Sequence, residues 1–203
     1  MSSLYERKHR QIIEAAIEVF LKSGFEGTSM DRVAEHAGMS KVTVYNHFKD
    51  KRDLFKKVME VHCQNLEKNA PKINYGLDKP LEENLKQFAE ILVTGLLNPK
   101  SVKMLRVVIF ETGQFPELSS LIWVDGKLPM LDAFCEYLDL EIKQGRLKIS
   151  NTYLAARQFF GMIKENLVWP VLMGVRLKVS SSYRDEVIQN SVKMFLNYYS
   201  PHL

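Results

Sequence analysis

The stretch SKVTVYNHF, residues 40–48, is rich in side chains that can contact the bases and phosphates of DNA. An Asn side chain can pair with adenine, Val and Thr methyl groups can touch the thymine methyl, and Tyr or Lys can bind phosphate oxygens. Val44 and Phe48 are one helical turn apart, so a short helix can bury both and turn the other side chains outward. We expect six contact residues: Lys41, Val42, Thr43, Tyr45, Asn46 and His47.

The sequence before this stretch predicts the elements that hold it. Residues 28–39, TSMDRVAEHAGM, have the apolar spacing of a helix followed by a turn. Thr28 is the expected N-cap, with Asp31 as a short substitute for the acidic partner of a capping box. Gly38 supplies a left-handed turn and Ser40 caps the next helix. A helix, a glycine turn and a short second helix form a helix-turn-helix, whose second helix enters the DNA major groove.

Two lysines stand where a helix disfavours a cation. Lys41 and Lys51 each fall in the first turn of a predicted helix, the second of which Asp50 caps, and the helix dipole opposes this placement by roughly 0.3–1 kcal/mol. A bound phosphate would reverse the effect, because helix N-termini bind anions. The alternative is that both lysines are solvated and tolerate the small cost. The segment ERKHR, residues 6–10, also allows two interpretations: it could contact DNA, or it could be a frayed, solvated terminus.

Helical periodicity continues along the chain, and no alternating strand pattern interrupts it. After the loop APKINYGLDKP, apolar-rich helices are expected at residues 80–97, 101–113, 116–145, 151–175 and 182–199. The third should break near Gly126 or Pro129, and Pro170 should kink the fourth. The predicted fold class is all-α. We expect a three-helix DNA-binding domain at residues 1–50, and a larger helical ligand-binding and dimerisation domain at 51–203, to which the helix 51–70 connects it.

Composition argues against several classes of protein. The chain has 203 residues, a formal net charge of +4 and two cysteines without CxxC spacing, which argues against a disulfide scaffold or zinc knuckle. Its N-terminus is too charged for a signal peptide, and no apolar run reaches the roughly 20 residues that span a bilayer. The histidines lack acidic or cysteine partners at motif spacing, and neither a nucleophile elbow nor a glycine-rich phosphate loop is present. We expect a cytoplasmic protein that is not an enzyme and uses no metal or cofactor.

The first 60 residues or so resemble the N-terminal domain of TetR/AcrR-family transcriptional regulators. The resemblance lies in the patterns AA-x-x-x-F, G-F-x-x-T-S-M, V-A-x-x-A-G-x-S, T-x-Y-x-H-F and K-x-x-L-F. It implies an all-α homodimer that binds a palindromic operator. By position, it implies phosphate contacts from Thr28, Ser29 and Lys51, and places Lys41 to His47 on the recognition helix. Val42 departs from a common variant of the family, which has Gly or Pro at this position.

The resemblance also implies that the C-terminal body senses a ligand. Residues 101–118, SVKMLRVVIFETGQFPEL, are apolar on nearly all sides and resemble a looser mid-chain pattern of the family. Binding pockets are mostly apolar, so we expect a hydrophobic or amphipathic effector. The candidate ligand-binding residues are Phe88, Met104, Arg106, Phe110, Glu111, Trp123, Phe134, Phe159 and Met162. The alternatives are an ordinary core for the apolar residues, and an ion pair or helix-end hydrogen bonds for Arg106 and Glu111.

The last predicted helix carries two apolar stripes. One contains Val187, Ser191, Met194 and Tyr198, and the other contains Ile188, Val192, Phe195 and Tyr199. Two apolar faces need two partners, and the resemblance makes this helix and the one with Pro170 the interface of a homodimer built as a four-helix bundle. The alternative is a monomer that wraps the helix fully.

The function expected from these features is transcriptional repression. A repressor needs only to occupy a promoter, and an effector in the C-terminal body would release it by changing the distance between two recognition helices. The expected partners are operator DNA, a second copy of the chain and an unidentified small molecule, but no membrane. The alternative is an architectural or cell-division DNA-binding protein of the same fold that has no effector.

Overall fold

The structure is a computed structural model that describes residues 3–69, 79–116, 129–175 and 178–201. Within these ranges every regular element is an α-helix, which confirms the all-α prediction, and none of these helices is both long and apolar enough to cross a membrane. The helices are α1 (Leu4–Ser23), α2 (Met30–His36), α3 (Lys41–His47), α4 (Lys51–Asn69), α5 (Leu81–Leu96), α6 (Pro99–Glu111), α7 (Pro129–Lys143), α8 (Thr152–Leu167), α9 (Trp169–Leu172) and α10 (Ser181–Tyr199).

The chain forms two compact units. The first contains Met1–Lys68 and Lys103–Gly126, and the second contains Asn69–Val102 and Lys127–Leu203. Helices α1 to α3, almost all of α4 and most of α6 therefore belong to the first unit. This division differs from the one expected at residue 50, because α4 and the distant end of α6 contribute side chains to the core of the first unit.

Three phenylalanine rings from α1, the turn after it and α4 form the centre of the first unit. The ring centroids of Phe20 and Phe55 lie 4.8 Å apart, and those of Phe25 and Phe55 lie 5.2 Å apart, both edge to face. Val44 of α3 and Phe48, the C-cap of α3, belong to the same buried cluster. Helix α3 has seven residues, too few to be stable alone, so its orientation depends on this core.

Side-chain caps fix where α3 and α4 begin. Ser40 accepts a hydrogen bond from the Thr43 N–H at 3.2 Å, and Gly38 adopts the left-handed φ of 64°, as predicted. Asp50 accepts from the Asp53 N–H at 2.9 Å, which confirms it as the cap of α4. The N-terminus of α3, the candidate recognition helix, is therefore fixed by the N-cap Ser40.

The predicted cap of α2 is wrong by one residue. Ser29, not Thr28, is the N-cap, and it accepts from the Arg32 N–H at 3.2 Å. Thr28 is buried and its hydroxyl donates to the Gly24 carbonyl at 2.7 Å. The capping box expected between Thr28 and Asp31 is therefore absent, because the hydroxyl satisfies the end of α1 instead.

Residues 6–10 are helical rather than a frayed terminus. They lie in α1, which opens with a capping box: the Glu6 N–H donates to Ser3 at 3.2 Å, and the Ser3 N–H donates to the Glu6 carboxylate at 2.8 Å. This cap holds the start of α1 in a fixed position.

Aromatic rings from α5, α7, α8 and α10 form the core of the second unit. The ring centroid of Phe134 lies 4.6 Å from that of Phe88 and 5.2 Å from that of Phe159. Phe195 of α10 closes the group, 5.2 Å from Phe159. All four rings are buried, so they pack against one another as a closed core.

A charged group is buried at the end of α7. Glu141 is fully buried, and the Arg146 guanidinium donates two hydrogen bonds to its carboxylate, at 2.5 and 2.9 Å. The Tyr137 hydroxyl accepts from the Asn84 amide at 3.1 Å. Burial, followed by the hydrogen bond to Glu141, raises the pKa of Tyr137, so the phenol stays protonated. These contacts tie α5, α7 and the turn after α7 together.

The helix expected to kink at Pro170 is divided into two helices there. Helix α8 ends at Leu167 and α9 begins at Trp169, with Pro170 in its first turn, where the missing N–H costs no helical hydrogen bond. Of the other predicted break, Pro129 opens α7 and Gly126 lies outside the described residues.

Candidate nucleic-acid interface

Helix α3 divides into a buried and an exposed face as the sequence predicts. Val44 is fully buried, whereas Val42 is 69% exposed and Tyr45 is 51% exposed. Thr43 and His47 are half-buried at the edges of the face. The exposed side chains of the helix are Lys41, Val42, Tyr45 and Asn46. A short helix anchored on one side and polar on the other has the form that enters a major groove.

The turn before α3 is held by α1 and α2. The Gln11 side-chain amide donates to the Ala37 carbonyl at 3.1 Å, and the Met39 N–H donates to the Ala34 carbonyl at 2.9 Å. These bonds satisfy carbonyl groups at the end of α2 that have no partner within the helix. The angle between α2 and α3 is therefore fixed by hydrogen bonds as well as by the core.

Lys41 forms an ion pair with Asp31 of α2. The two side chains are 64% and 52% exposed, so the pair contributes at most about 1 kcal/mol. Asp31 supplies the negative charge that compensates a cation at the start of a helix. A DNA phosphate could replace the Asp31 carboxylate as the partner of Lys41, because either anion can compensate the lysine charge at the start of α3.

The Lys51 side chain is half-buried and contacts the turn between α1 and α2. Its ammonium lies 4.5 Å from the ring centroid of Phe25 and 5.9 Å from that of Phe115, and it donates to the Glu26 carbonyl at 3.3 Å. Burial lowers the pKa of Lys51, while the carboxylates of Glu111 and Glu26 raise it. Its contact with a flanking phosphate stays a prediction, and that contact would compete with the protein's own turn.

Thr28 and Ser29, just before α2, are both expected to contact a phosphate, but only Ser29 is exposed. The Thr28 N–H donates to the Phe25 carbonyl at 3.3 Å, and its hydroxyl is bonded to Gly24. Thr28 is buried and both of its donors are used within the protein, which argues against the predicted phosphate contact. Ser29 accepts from Arg32 and can still donate its hydroxyl proton to a phosphate.

A cluster of rings joins α3 to α1, which the sequence did not predict. The imidazole cluster consists of Tyr5, His9, His47 and Phe48. The His47 ring centroid lies 4.1 Å from that of Tyr5 and 5.5 Å from that of His9, and His9 stacks on Phe48 at 4.7 Å. His47 therefore faces α1 as well as the outside. The spacing of Tyr5 and His9, one turn apart on α1, is the signal that could have revealed the cluster.

The electrostatics of the imidazole cluster favour neutral rings. Burial lowers the pKa of His9, and the neighbouring His47 and Lys57 lower it further, while Asp53 raises it. Burial also lowers the pKa of His47, as does Lys8. Among the described residues no group of three or more His, Cys, Asp or Glu side chains could hold a metal ion.

We expect the first unit to lose stability as the pH falls below about 6.5, the ordinary pKa of histidine. His9 and His47 have lower pKa values in the folded protein, so the unfolded chain binds more protons as the pH drops. Their contribution is fully present above that pH and is lost progressively as the pH falls toward the folded pKa values. The double variant His9→Gln, His47→Gln should therefore show a flatter pH dependence of thermal unfolding than the wild type.

The matched control is Asn46→Gln, which changes an exposed side chain of the same unit and removes no titratable group. It should keep the wild-type difference in unfolding temperature between about pH 7.5 and about pH 5.5. An unchanged difference in the double variant would show that the imidazole cluster does not control it.

The predicted ligand-binding residues are divided between the two units. In the second unit, Phe88, Phe134 and Phe159 pack together in the core, and Met162 is half-buried on α8. In the first unit, Met104 is buried, Arg106 is half-buried and Phe110 is 78% exposed. Glu111 accepts backbone hydrogen bonds, as the alternative interpretation had it. Trp123 lies outside the described residues.

Two family models match the chain, one in each half. The model for bacterial regulatory proteins of the tetR family matches residues 12–58, which span α2 and α3. The model for the C-terminal domain of AefR-like transcriptional repressors matches residues 83–201, more than half of the chain. The chain belongs to the TetR family. Proteins of this family are transcriptional regulators rather than enzymes, and they bind operator DNA and dimerise, so this TetR-family member is a DNA-binding transcriptional regulator.

The similar proteins match between 79% and 98% of the TetR-family chain. The flavonoid-responsive regulator FrrA has a TM-score of 0.85 and 28% identity, and the match covers 98% of this chain and 100% of that one. A TetR-family regulator from Pseudomonas syringae pv. tomato DC3000 has a TM-score of 0.79 and 30% identity, over 95% and 97% of the two chains. The fatty acid metabolism regulator of Bacillus subtilis is 27% identical over 165 residues, 79% of this chain and 81% of that protein.

Proposed function

We propose that this regulator is a cytoplasmic repressor that binds a palindromic operator as a homodimer. The observation that carries the proposal is the exposed face of α3 on a helix that the core, a cap and a glycine turn hold in place. Val42, Thr43, Tyr45, Asn46 and His47 would meet the groove. Ser29, Lys41 and Lys51 would meet phosphates. The match to AefR-like repressors supports repression.

The homodimer would form through α8 and α10. Met194 and Tyr198 of α10 are 53% and 75% exposed, and Leu154 of α8 is 50% exposed. The Tyr199 hydroxyl donates to the Gln158 side chain at 2.6 Å, so this end of α10 lies beside the first half of α8. Exposed apolar side chains on two adjacent helices favour a second copy as partner, in which two helices from each subunit form a bundle.

The two recognition helices of such a dimer would read half-sites about one helical turn apart, roughly 34–36 Å. Selection from a random duplex library, at a fixed ionic strength of about 0.1 M, tests this directly. The expected product is a palindrome with two half-sites at that spacing. The proposal fails if the protein prefers no sequence over random duplex.

A small apolar or amphipathic molecule would release the operator. Support comes from similarity to a regulator named for its response to flavonoids and to one named for fatty acid metabolism. An effector that favours a dimer with a different half-site distance weakens operator binding, and linkage requires the operator to weaken effector binding by the same factor. Calorimetric titration of flavonoids and of fatty acids, with and without operator, should show this reciprocity for one class. Equal affinity in both states would exclude that class as effector.

We expect Asp31→Asn to raise operator affinity by about 2–5-fold. The substitution removes a carboxylate that pairs with Lys41 and repels phosphate, and an exposed pair of this kind is worth up to about 1 kcal/mol. Fluorescence anisotropy with labelled operator measures the change. Glu14→Gln, which removes the same charge from an exposed position of α1, is the control and should change affinity less. Lower or unchanged affinity in Asp31→Asn would mean that Lys41 does not meet a phosphate.

A further inference from the structure

We propose that Glu111 is a positioning residue for operator binding: its carboxylate holds the turn between α1 and α2 in the conformation that orients the helix-turn-helix. The inference rests on the proposed DNA-binding face of α3, and it adds a residue that itself touches no DNA. Glu111 is the last residue of α6 and belongs to the first unit, although 85 residues separate it from Glu26, which it contacts.

The contact is an anion site made of backbone. Glu111 Oε1 accepts hydrogen bonds from the Phe25 N–H at 2.9 Å and from the Glu26 N–H at 3.2 Å. These two groups directly follow Gly24, the C-cap of α1. Consecutive N–H groups that point at one oxygen form an anion-binding concavity, and bonds from N–H to a carboxylate are stronger than bonds between neutral groups.

Gly24 makes room for this carboxylate. Its φ of 71° lies in the left-handed region, which favours glycine at the end of a helix. In addition, a Cβ at this position would lie 2.9 Å from Glu111 Oε1, closer than real Cβ contacts. The cap alone explains the φ but not the close approach of a side chain from α6. A side chain at position 24 would therefore displace the Glu111 carboxylate from its two N–H donors.

A cation and an aromatic ring complete the site around the same turn. The Phe115 ring, four residues after Glu111, packs edge to face on Phe25 with 4.8 Å between centroids. The Lys51 ammonium stacks over Phe25 and donates to the Glu26 carbonyl at 3.3 Å. The turn is thus held by an anion on its N–H groups and a cation on its carbonyl, both from other elements.

Contacts from the turn to α2, and from α2 to the residues at α3, couple the position of α3 to that of the turn. The Arg32 guanidinium of α2 donates to the Gly27 carbonyl in the turn at 2.7 Å, and the Met39 N–H, just before α3, donates to the Ala34 carbonyl of α2 at 2.9 Å. A turn that shifts without Glu111 would therefore carry α2 and α3 with it. Binding sites depend on such supporting contacts, because displacements of about 0.5 Å already misalign the groups that bind.

The sign of the effect separates positioning from electrostatics. Removing Glu111 takes one negative charge from a unit that binds a polyanion, and this change alone raises DNA affinity. A loss of affinity would run against that trend. It would identify the carboxylate as a group that acts through the turn.

The test compares operator affinity by fluorescence anisotropy in the wild type, Glu111→Ala, Glu111→Gln and the control Glu14→Ala. We expect a loss of about 10-fold for Glu111→Ala and about 3-fold for Glu111→Gln, since a neutral amide oxygen still accepts but binds less strongly. Glu14→Ala should bind as well as the wild type or better. Formate added to Glu111→Ala, against chloride at equal ionic strength, should restore at least half of the lost affinity while leaving the wild type unchanged, because it supplies the missing carboxylate.

Three results would overturn the proposal. The first is unchanged or higher affinity in Glu111→Ala. The second is a loss that formate does not reverse, which indicates general destabilisation. The third concerns the case in which Glu111→Ala does not fold. The proposal then fails if Glu111→Gln is a folded dimer and binds the operator with wild-type affinity. Failure of the wild type and Glu14→Ala to prefer any operator would instead refute the proposed function.

Discussion

Replacing Tyr45 with Ala should weaken operator binding by about 10–100-fold, which corresponds to about 1.4–2.8 kcal/mol. The side chain is 51% exposed in the middle of the α3 face. In the complex it can therefore pack on the sugar–phosphate backbone of the DNA and donate a hydrogen bond to a phosphate. Aromatic side chains at the centre of an interface often carry losses of this size. Because Tyr45 lies outside the buried cluster, the stability of the unbound protein should change little.

Two companion variants show what Tyr45 and its neighbour contribute. Tyr45→Phe keeps the ring and removes the hydroxyl, so it should lose only the part of the affinity that a phosphate hydrogen bond supplies. Asn46→Ala should relax the preference at one base pair by about 1–3 kcal/mol, because Asn can pair with adenine through two bonds. Anisotropy with the selected operator and its single-base variants measures both. Unchanged affinity in Tyr45→Ala, with an unchanged salt dependence, would remove α3 from the interface.

The helix-turn-helix could be predicted because its determinants are local. Val44 and Phe48 are both buried at helical spacing, Gly38 has the required positive φ, and Ser40 caps α3, each as its residue type suggests. Each of these choices is made within a few residues of the chain, where the geometry of a helix decides the outcome. The type and order of the elements therefore followed from the sequence.

Adjacent residues with the same chemistry could not be told apart. Thr28 and Ser29 both carry a hydroxyl that can cap α2, and the sequence favoured the first because Asp31 stands three residues later. In the structure the Thr28 hydroxyl donates instead to the carbonyl of Gly24, the C-cap of α1. That competition depends on the conformation of the turn, whose Phe25 and Glu26 N–H groups also donate to Glu111, a residue much later in the chain.

Long-range contacts account for the other differences. Met104 is as apolar as any pocket residue, but in the structure it joins the core of the first unit, and Phe134 joins the core of the second. Composition does not separate a pocket from a filled core, since both are apolar. The same holds for Lys51, whose neighbours Phe25 and Phe115 become adjacent only after folding. Where the partner is distant in sequence, the pattern indicates burial but not its location.

Met194→Glu should convert the dimer into a monomer and reduce operator affinity by at least about 100-fold. Met194 is 53% exposed on the α10 face proposed for the interface, so a charge there is tolerated in the isolated chain. In a symmetric dimer the same substitution is made on both copies, and it buries two like charges without partners, which costs several kcal/mol. A monomer would retain the contacts of one half-site and lose the gain from binding two at once.

Light scattering coupled to size exclusion gives the mass of each variant, and anisotropy gives its operator affinity. Gln189→Glu is the matched control, because it lies about 140° from Met194 around α10, counting roughly 100° per residue, and is exposed. It should remain dimeric and bind the operator. Tyr45→Ala should lose the operator and keep the dimer, whereas Met194→Glu should lose both. A Met194→Glu protein that stays dimeric would exclude this face of α10 from the interface, and one that binds the operator as a monomer would show that the two half-sites are not read together.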